Sequence, residues 1–223
     1  MCGKFTAMKA WTRVVDLAHA ILGAADGDED VVGYRVMANL PVIVWDRQCR
    51  RVMAMRWGFP APGDWRRPQP IHARAETIDT MPAFADAFVA GQRGIVLATT
   101  FNEAPDEGET KQHVVAPGDE KALGIAFVWR RFDLPGIPLP LLAACMVTVP
   151  ANRLLTSLPT SRMPAIVAPE DWSLWLGETQ ASPARVKACL KTMEGVRWTM
   201  RPEERAARGK RAKPTAADPG GLF

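Results

Sequence analysis

No apolar run in this 223-residue chain approaches the length that a membrane span requires. The opening MCGKFTAMKAWTR has an early lysine but no continuous apolar core and no small-residue cleavage site. A secretory signal is therefore not expected, and a cytoplasmic, reducing setting is. Only four cysteines are present (Cys2, Cys49, Cys145 and Cys189), widely scattered and without a CxxC pair. With only His19, His72 and His113 beside them, zinc-finger spacings are absent and a disulfide framework is not expected. GxGxxG, the Walker loop, HExxH and GxSxG are all missing, which removes several common enzyme classes. Internal repeats are absent too, and nothing points to a metal or an organic cofactor.

What is there fits an ordinary soluble domain. Hydrophobic residues make up 48% and charged residues 23% of the chain, enough to build a sizeable core. One domain over 1–200 followed by a basic tail over 201–223 is expected. The formal charge of +4 is unevenly spread: RPEERAARGKRAK (201–213) holds six Lys or Arg against two Glu. Such an arm attracts nucleic acid, or is simply a solvated tail.

Helical spacing over 7–25 (Trp11, Val14, Val15, Ala18, Ile21, Leu22) predicts an amphipathic helix carrying His19. YRVMANLPVIVWD and RVMAMRWGF predict strands, with RQCR as the turn between them. APGDWRRPQP, with Trp65, Arg66 and Arg67, predicts a loop. MPAFADAFVAGQ predicts a short helix. GIVLATTF, LGIAFVW and AACMVTVP predict three more strands, and the polar stretch 102–122 a surface hairpin or loop. PEDWSLWLG and SPARVKACLKTM predict helices, the second capped by Ser182 with Pro183 at its first position. Strands dominate without regular βαβ alternation. The fold class expected is α+β, a mostly antiparallel sheet or partly closed barrel with flanking helices.

Cys2 stands out by position. Once Met1 is removed it carries a free α-amine and a thiol on adjacent carbons, a pair no internal residue offers. Four stretches accompany it: MCGKF (1–5), RWGFPAPGDW with HARAET (56–77), RGIVLATTFNEAP (93–105) and SRMPAIVAPEDWSLWL (161–176). In this order and spacing they resemble the SOS response-associated peptidase (SRAP) family of abasic-site processing proteins. The resemblance implies an N-terminal cysteine that captures abasic sites in single-stranded DNA as a thiazolidine, in a cytoplasmic protein close to the nucleoid. It implies that Glu103 shuttles protons, that Lys4, Arg74 and Arg162 hold phosphates, and that Trp57 and Phe59 stack on or wedge bases. From the residues alone, Arg74 and Arg162 are equally readable as ion-pair partners, for instance of Glu76, and Trp57 as core.

Three departures from the family pattern stand out. Thr160 and Ser161 replace its His-Asp/Glu before Arg-Met-Pro, His72 replaces its Asn, and FNEAP retains only Phe101 and Glu103 of Gly-Phe-Tyr-Glu-Trp. Either His72 takes over imidazole chemistry lost at Thr160, or the protein binds DNA with part of the cycle missing. Loss of that His is expected to affect ring opening or release most. The alternatives are a non-covalent DNA-binding paralogue and an N-terminal-nucleophile peptidase or amidohydrolase. DPGGLF resembles short peptides that dock on the polymerase sliding clamp, through Leu222 and Phe223, without their usual upstream Gln. A monomer is expected, with no membrane partner. Both covalent readings require removal of Met1. Intact-mass spectrometry of the purified protein is therefore expected to find a chain shorter by one methionine, and retention of Met1 defeats both for that preparation.

Overall fold

The apolar runs become strands, and the longest of them organises the others. A computed structural model of the protein describes residues 2–8, 20–21, 31–107, 111–118, 122–194 and 197–203. In chain order the strands are β1 (Lys4–Met8), β2 (Ala20–Ile21), β3 (Val31–Arg35), β4 (Asn39–Asp46), β5 (Cys49–Trp57), β6 (Pro60–Ala61) and β7 (Asp64–Pro68). They continue with β8 (His72–Arg74), β9 (Arg93–Glu103), β10 (His113–Pro117), β11 (Leu123–Phe132), β12 (Leu141–Pro150), β13 (Arg162–Pro164) and β14 (Trp198–Pro202). Three short helices, α1 (Ala85–Val89), α2 (Trp172–Leu176) and α3 (Pro183–Lys187), lie beside them.

Five strands close a ring. β9 pairs with β11, β11 with β12, β12 with β5, β5 with β4, and β4 returns to β9. Only the β12–β5 contact in this ring is parallel. β9 is long enough to serve two sheets. Its first half lies in the ring. Its second half leaves the ring and pairs with β1 on one side and β10 on the other. β3 extends this second sheet beyond β1, and β14 extends it beyond β10. The fold is a partly closed barrel with an antiparallel flank, in the α+β class.

Fully buried rings fill the interior. Phe5 packs on Trp57 at 5.1 Å between centroids, and both pack on Phe127 at 6.3 Å. The β4–β5 hairpin turns through Arg47 and Gln48, both at positive φ (48° and 63°), the two-residue geometry that matches strand twist. Arg93 ties two helices to the barrel. Its Nε donates to the Trp175 carbonyl at 2.5 Å and its Nη1 to the Phe88 carbonyl at 2.6 Å, so one cation satisfies orphan carbonyls at the ends of α1 and α2.

The helix expected over 7–25 is not what the described residues show. Ala7 and Met8 belong to β1, and Ala20–Ile21 pairs in parallel with β5; the rest of that segment, His19 included, lies outside the described residues. The stretch expected as a Pro-rich loop forms the β6–β7 hairpin, and the polar 102–122 segment contains β10. β14 runs to Pro202, just beyond the start of the expected tail. Leu222 and Phe223 lie outside the described residues.

Gly94 is where β9 passes closest to β4. A Cβ there would overlap Val42 Cγ1 and sit 3.0 Å from the Ile43 carbonyl oxygen. Gly94→Ala is expected to cost about 1–3 kcal/mol, read as a lower denaturant midpoint; an unchanged midpoint contradicts this packing.

Candidate functional site

Strand register decides what meets at the amino end of the chain. β1 runs antiparallel to β9 with Lys4 opposite Asn102 and Phe5 opposite Phe101. Just beyond that pairing, Cys2 lies near enough to Asn102 and Glu103 for a backbone hydrogen bond from the first and the charge of the second to act on its thiol. Cys2 is only 1% exposed. Its thiol donates to the Lys4 carbonyl at 3.2 Å. Its own carbonyl lies 2.7 Å from His72 Nε2. A carbonyl oxygen only accepts, so Nε2 carries the hydrogen. Burial lowers the proton affinity of His72, which favours the neutral ring with Nδ1 bare. His72 reaches this position because β8 lies parallel to β12, with His72 opposite Met146.

Glu103 is the last residue of β9 and has no exposed surface. Burial raises its carboxyl from the ordinary 4.5 to about 7; the positive charge of the chain's amino terminus opposes the rise and Asp106 adds to it. A carboxyl poised there gives and takes protons near neutral pH. Burial also pushes the Cys2 thiol far above its ordinary value, and the nearby charge of Glu103 pushes it further. Near neutral pH Cys2 is therefore a thiol, not a thiolate.

Thr160 is buried beside Asp106. Its hydroxyl lies 3.4 Å from both Asp106 Oδ1 and the Arg162 carbonyl oxygen, while the Ser161 N–H donates to Asp106 Oδ2 at 2.8 Å. Asp106 thus fastens the 160–161 segment to the chain just beyond Glu103. Nothing in the sequence singled it out, because an acid three residues after a glutamate forms no motif. His113 and Asn102 also escaped notice. His113 lies opposite Glu103 across the β9–β10 pair, and its buried Nδ1 makes no hydrogen bond among the described residues. Asn102 is 1% exposed, with its Nδ2 in the same condition.

The cationic and aromatic residues divide. Arg162 makes a bidentate pair with Glu76 (2.6 and 2.8 Å) and also donates to the Thr148 carbonyl at 2.6 Å, so it is an ion-pair partner that anchors β13 to β12. Arg74, opposite Thr148 in the β8–β12 pair, is exposed. Lys4 is paired with Glu203 at the end of β14. The expectation that Trp57 and Phe59 stack on bases does not fit their burial. Trp57 is fully buried and donates to the Ile71 carbonyl at 3.2 Å, and Phe59 is enclosed by Phe84 and Phe132. Both close the core, with no ring face left for a base. Trp65 on β7 is the half-exposed aromatic of this region, with the Arg66 guanidinium 5.2 Å from its ring centre. Among the described residues, no three His, Cys, Asp or Glu side chains cluster as metal ligands do.

A family model described as SOS response associated peptidase (SRAP) matches residues 1–206. No curated protein matches the chain. Among solved structures, a protein from Bordetella bronchiseptica superposes with a TM-score of 0.76 at 20% identity, covering 92% of this chain and all of its own. One from Bacteroides thetaiotaomicron gives 0.74 at 19% identity, covering 91% of this chain and 92% of that one. A phage-related protein from Bordetella bronchiseptica gives 0.63 at 17% identity, covering 92% and 95%. At these identities the likeness is one of fold.

An acid whose proton affinity is raised by folding makes the folded state hold more protons than the unfolded chain, so stability falls as pH rises from about 4.5 through 7. His72, lowered by burial, acts in the opposite sense. Comparison with Glu103→Gln isolates the carboxyl: the variant is expected to gain on the wild type across that window. Parallel curves in denaturant melts at pH 4.5–7.5 contradict the raised proton affinity.

Proposed function

The chain belongs to the SOS response associated peptidase family, and we propose that it binds single-stranded DNA and captures abasic sites covalently through Cys2 after removal of Met1. The observation that carries this reading is the company Cys2 keeps. A carboxyl poised near neutrality and an imidazole gripping the Cys2 carbonyl flank a residue with no other evident reason to sit at a chain start.

The chemistry follows from those groups. An abasic sugar opens to an aldehyde. An α-amine has an ordinary pKa of about 8, so a useful fraction is neutral near physiological pH and attacks that carbon. The carbinolamine hydroxyl leaves as water with a proton from Glu103, and the iminium N–H returns a proton to the carboxylate, leaving a neutral imine. The Cys2 thiol then adds across the C=N bond: sulfur bonds to carbon and the thiol proton ends on nitrogen. One water is released for each thiazolidine formed. A protonated, buried thiol suits this order, amine first and sulfur second. An N-terminal-nucleophile peptidase would instead need the α-amine of Cys2 to take that proton before sulfur attacks an acyl carbon.

His72 acts here by holding rather than by proton transfer, because its Nε2–H is already engaged with the Cys2 carbonyl. An asparagine amide makes the same donation. Thr160 supplies no group that titrates near neutral pH, and slow release of the crosslink follows from that. The non-covalent alternative draws on the same absence at Thr160.

On a denaturing gel, the Met1-free protein mixed with a single-stranded oligonucleotide bearing one abasic site is expected to give a heat-stable shifted band that Cys2→Ala lacks. His72→Ala is expected to slow its formation more than tenfold, on the order of a displaced catalytic group, and His72→Asn to keep most of the rate. DNA binding without a band favours the non-covalent module. Loss of rate in His72→Asn shows that the imidazole transfers protons.

A further inference from the structure

The second sheet has two faces, and strand register sorts its residues between them. Tyr34, Phe5, Phe101, Val115 and Met200 stand opposite one another across β3, β1, β9, β10 and β14. Phe5, Phe101 and Val115 are fully buried, so this row faces the core. Directly opposed residues project to one face, and successive residues of a strand to opposite faces. The next position on each strand therefore builds a row on the other face: Arg35, Lys4, Asn102, Val114 and Arg201. That row holds three cations and no acid. Arg35 and Arg201 are exposed at its two ends, and the side chain of neither makes an ion pair or a hydrogen bond among the described residues. Between them, Lys4 is already paired with Glu203, and Asn102 keeps an Nδ2 without a hydrogen-bond partner.

We propose that this row carries the backbone of single-stranded DNA across the second sheet and past Cys2, with Arg35 and Arg201 binding phosphates. Neighbouring strands lie about 4.8 Å apart, so the two arginines stand about 19 Å from each other. Phosphates of one stacked strand are spaced by about 3.4 Å along its axis, and the row spans several of them. The row passes the reacting residue, because Lys4 is two positions from Cys2 and its carbonyl accepts from the Cys2 thiol. Its members suit the backbone rather than the bases: they offer cationic donors and no aromatic ring, so the contact is independent of sequence. The two arginines differ from Lys4 in being unengaged. A phosphate at Lys4 has to displace the Glu203 carboxylate, whereas one at Arg35 or Arg201 displaces only water and counterions. The inference rests on the DNA-binding half of the reading above.

The test is the salt dependence of binding to a single-stranded oligonucleotide, intact or with one abasic site, for wild type, Arg35→Gln, Arg201→Gln and the double variant. Each single change is expected to weaken binding to both oligonucleotides alike and to lower the slope of log K against log salt by about 0.7, the share of one phosphate contact, and the pair by about twice that. Arg35→Lys, which still neutralises a phosphate, is expected to keep the slope. Arg47→Gln and Arg131→Gln, exposed cations on other strands and turns, are expected to match the wild type. Wild-type slopes in the Arg35 and Arg201 variants overturn the row, and mean that the two arginines serve only to keep the edges of the sheet, β3 and β14, from pairing with other chains. Equal losses at Arg47 and Arg131 overturn it too, since net charge alone then sets the binding. So does an Arg35→Lys slope as low as that of Arg35→Gln. A wild type that binds no single-stranded DNA defeats the reading above and the row together. Slopes reduced as expected in a protein that gives no Cys2-dependent band support the row and defeat the covalent step alone.

Discussion

One strand pairing carries the architecture of the site. β1 has to lie on the far half of β9 in the register that sets Lys4 against Asn102. A slip of one residue would turn Phe5 and Ala7 out of the core and bring Lys4 and Thr6 in. Phe5 is fully buried against Trp57 and Phe127, so the hydrophobic pattern excludes such a slip. The same pairing that fills the core therefore delivers the start of the chain to Glu103. Position in sequence becomes position in space through burial of one aromatic ring.

The electrostatics follow from that placement. A carboxyl at the closed end of a strand loses its water, and its proton affinity rises. The thiol beside it rises for the same reason. Two acids that resist ionisation then stand near one another, and the positive charge of the amino terminus favours the ionised carboxyl. Removing Met1 shifts that charge onto Cys2 itself. Of these groups it is Glu103 that burial brings into the range where protons exchange near neutral pH, while Cys2 is held as a thiol. Around this centre, cations that the resemblance assigns to phosphate are partly engaged already. Arg162 is held by Glu76 and Lys4 by Glu203, so a phosphate at either position competes with a carboxylate.

Much of this was legible in the chain. The apolar runs at 94–101, 123–129 and 143–150 are strands because their side chains are buried along nearly their whole length. Ser182 caps its helix by accepting from the Arg185 N–H, as its place before Pro183 suggested. β10 and β14 escaped because their residues are half-exposed and mixed, with no period to read. The β6–β7 hairpin was hidden by Pro62, Pro68 and Pro70, whose stretch read as a loop. At the amino end, the segment expected to be helical starts at Ala7, and Ala7 and Met8 pair in β1 instead. In the site, Cys2 stood out by its position and its adjacent amine and thiol, with the family resemblance deciding its reading, and Glu103 was found through the resemblance alone. Asp106 and His113 were not found, since each gains meaning only from a partner across a strand or loop. Likewise, the partner of Lys4 lies 199 residues away.

The central claim is that the amine and the thiol of Cys2 are captured together. Proteolytic digestion of the DNA-bound product, alkylation with iodoacetamide and tandem mass spectrometry of the peptides test it most directly. The account predicts that the sugar remnant sits on the Cys2–Gly3–Lys4 peptide, with the thiol resistant to alkylation and the amine blocked. A remnant on a lysine side chain, or on Cys2 with a thiol that still alkylates, contradicts it.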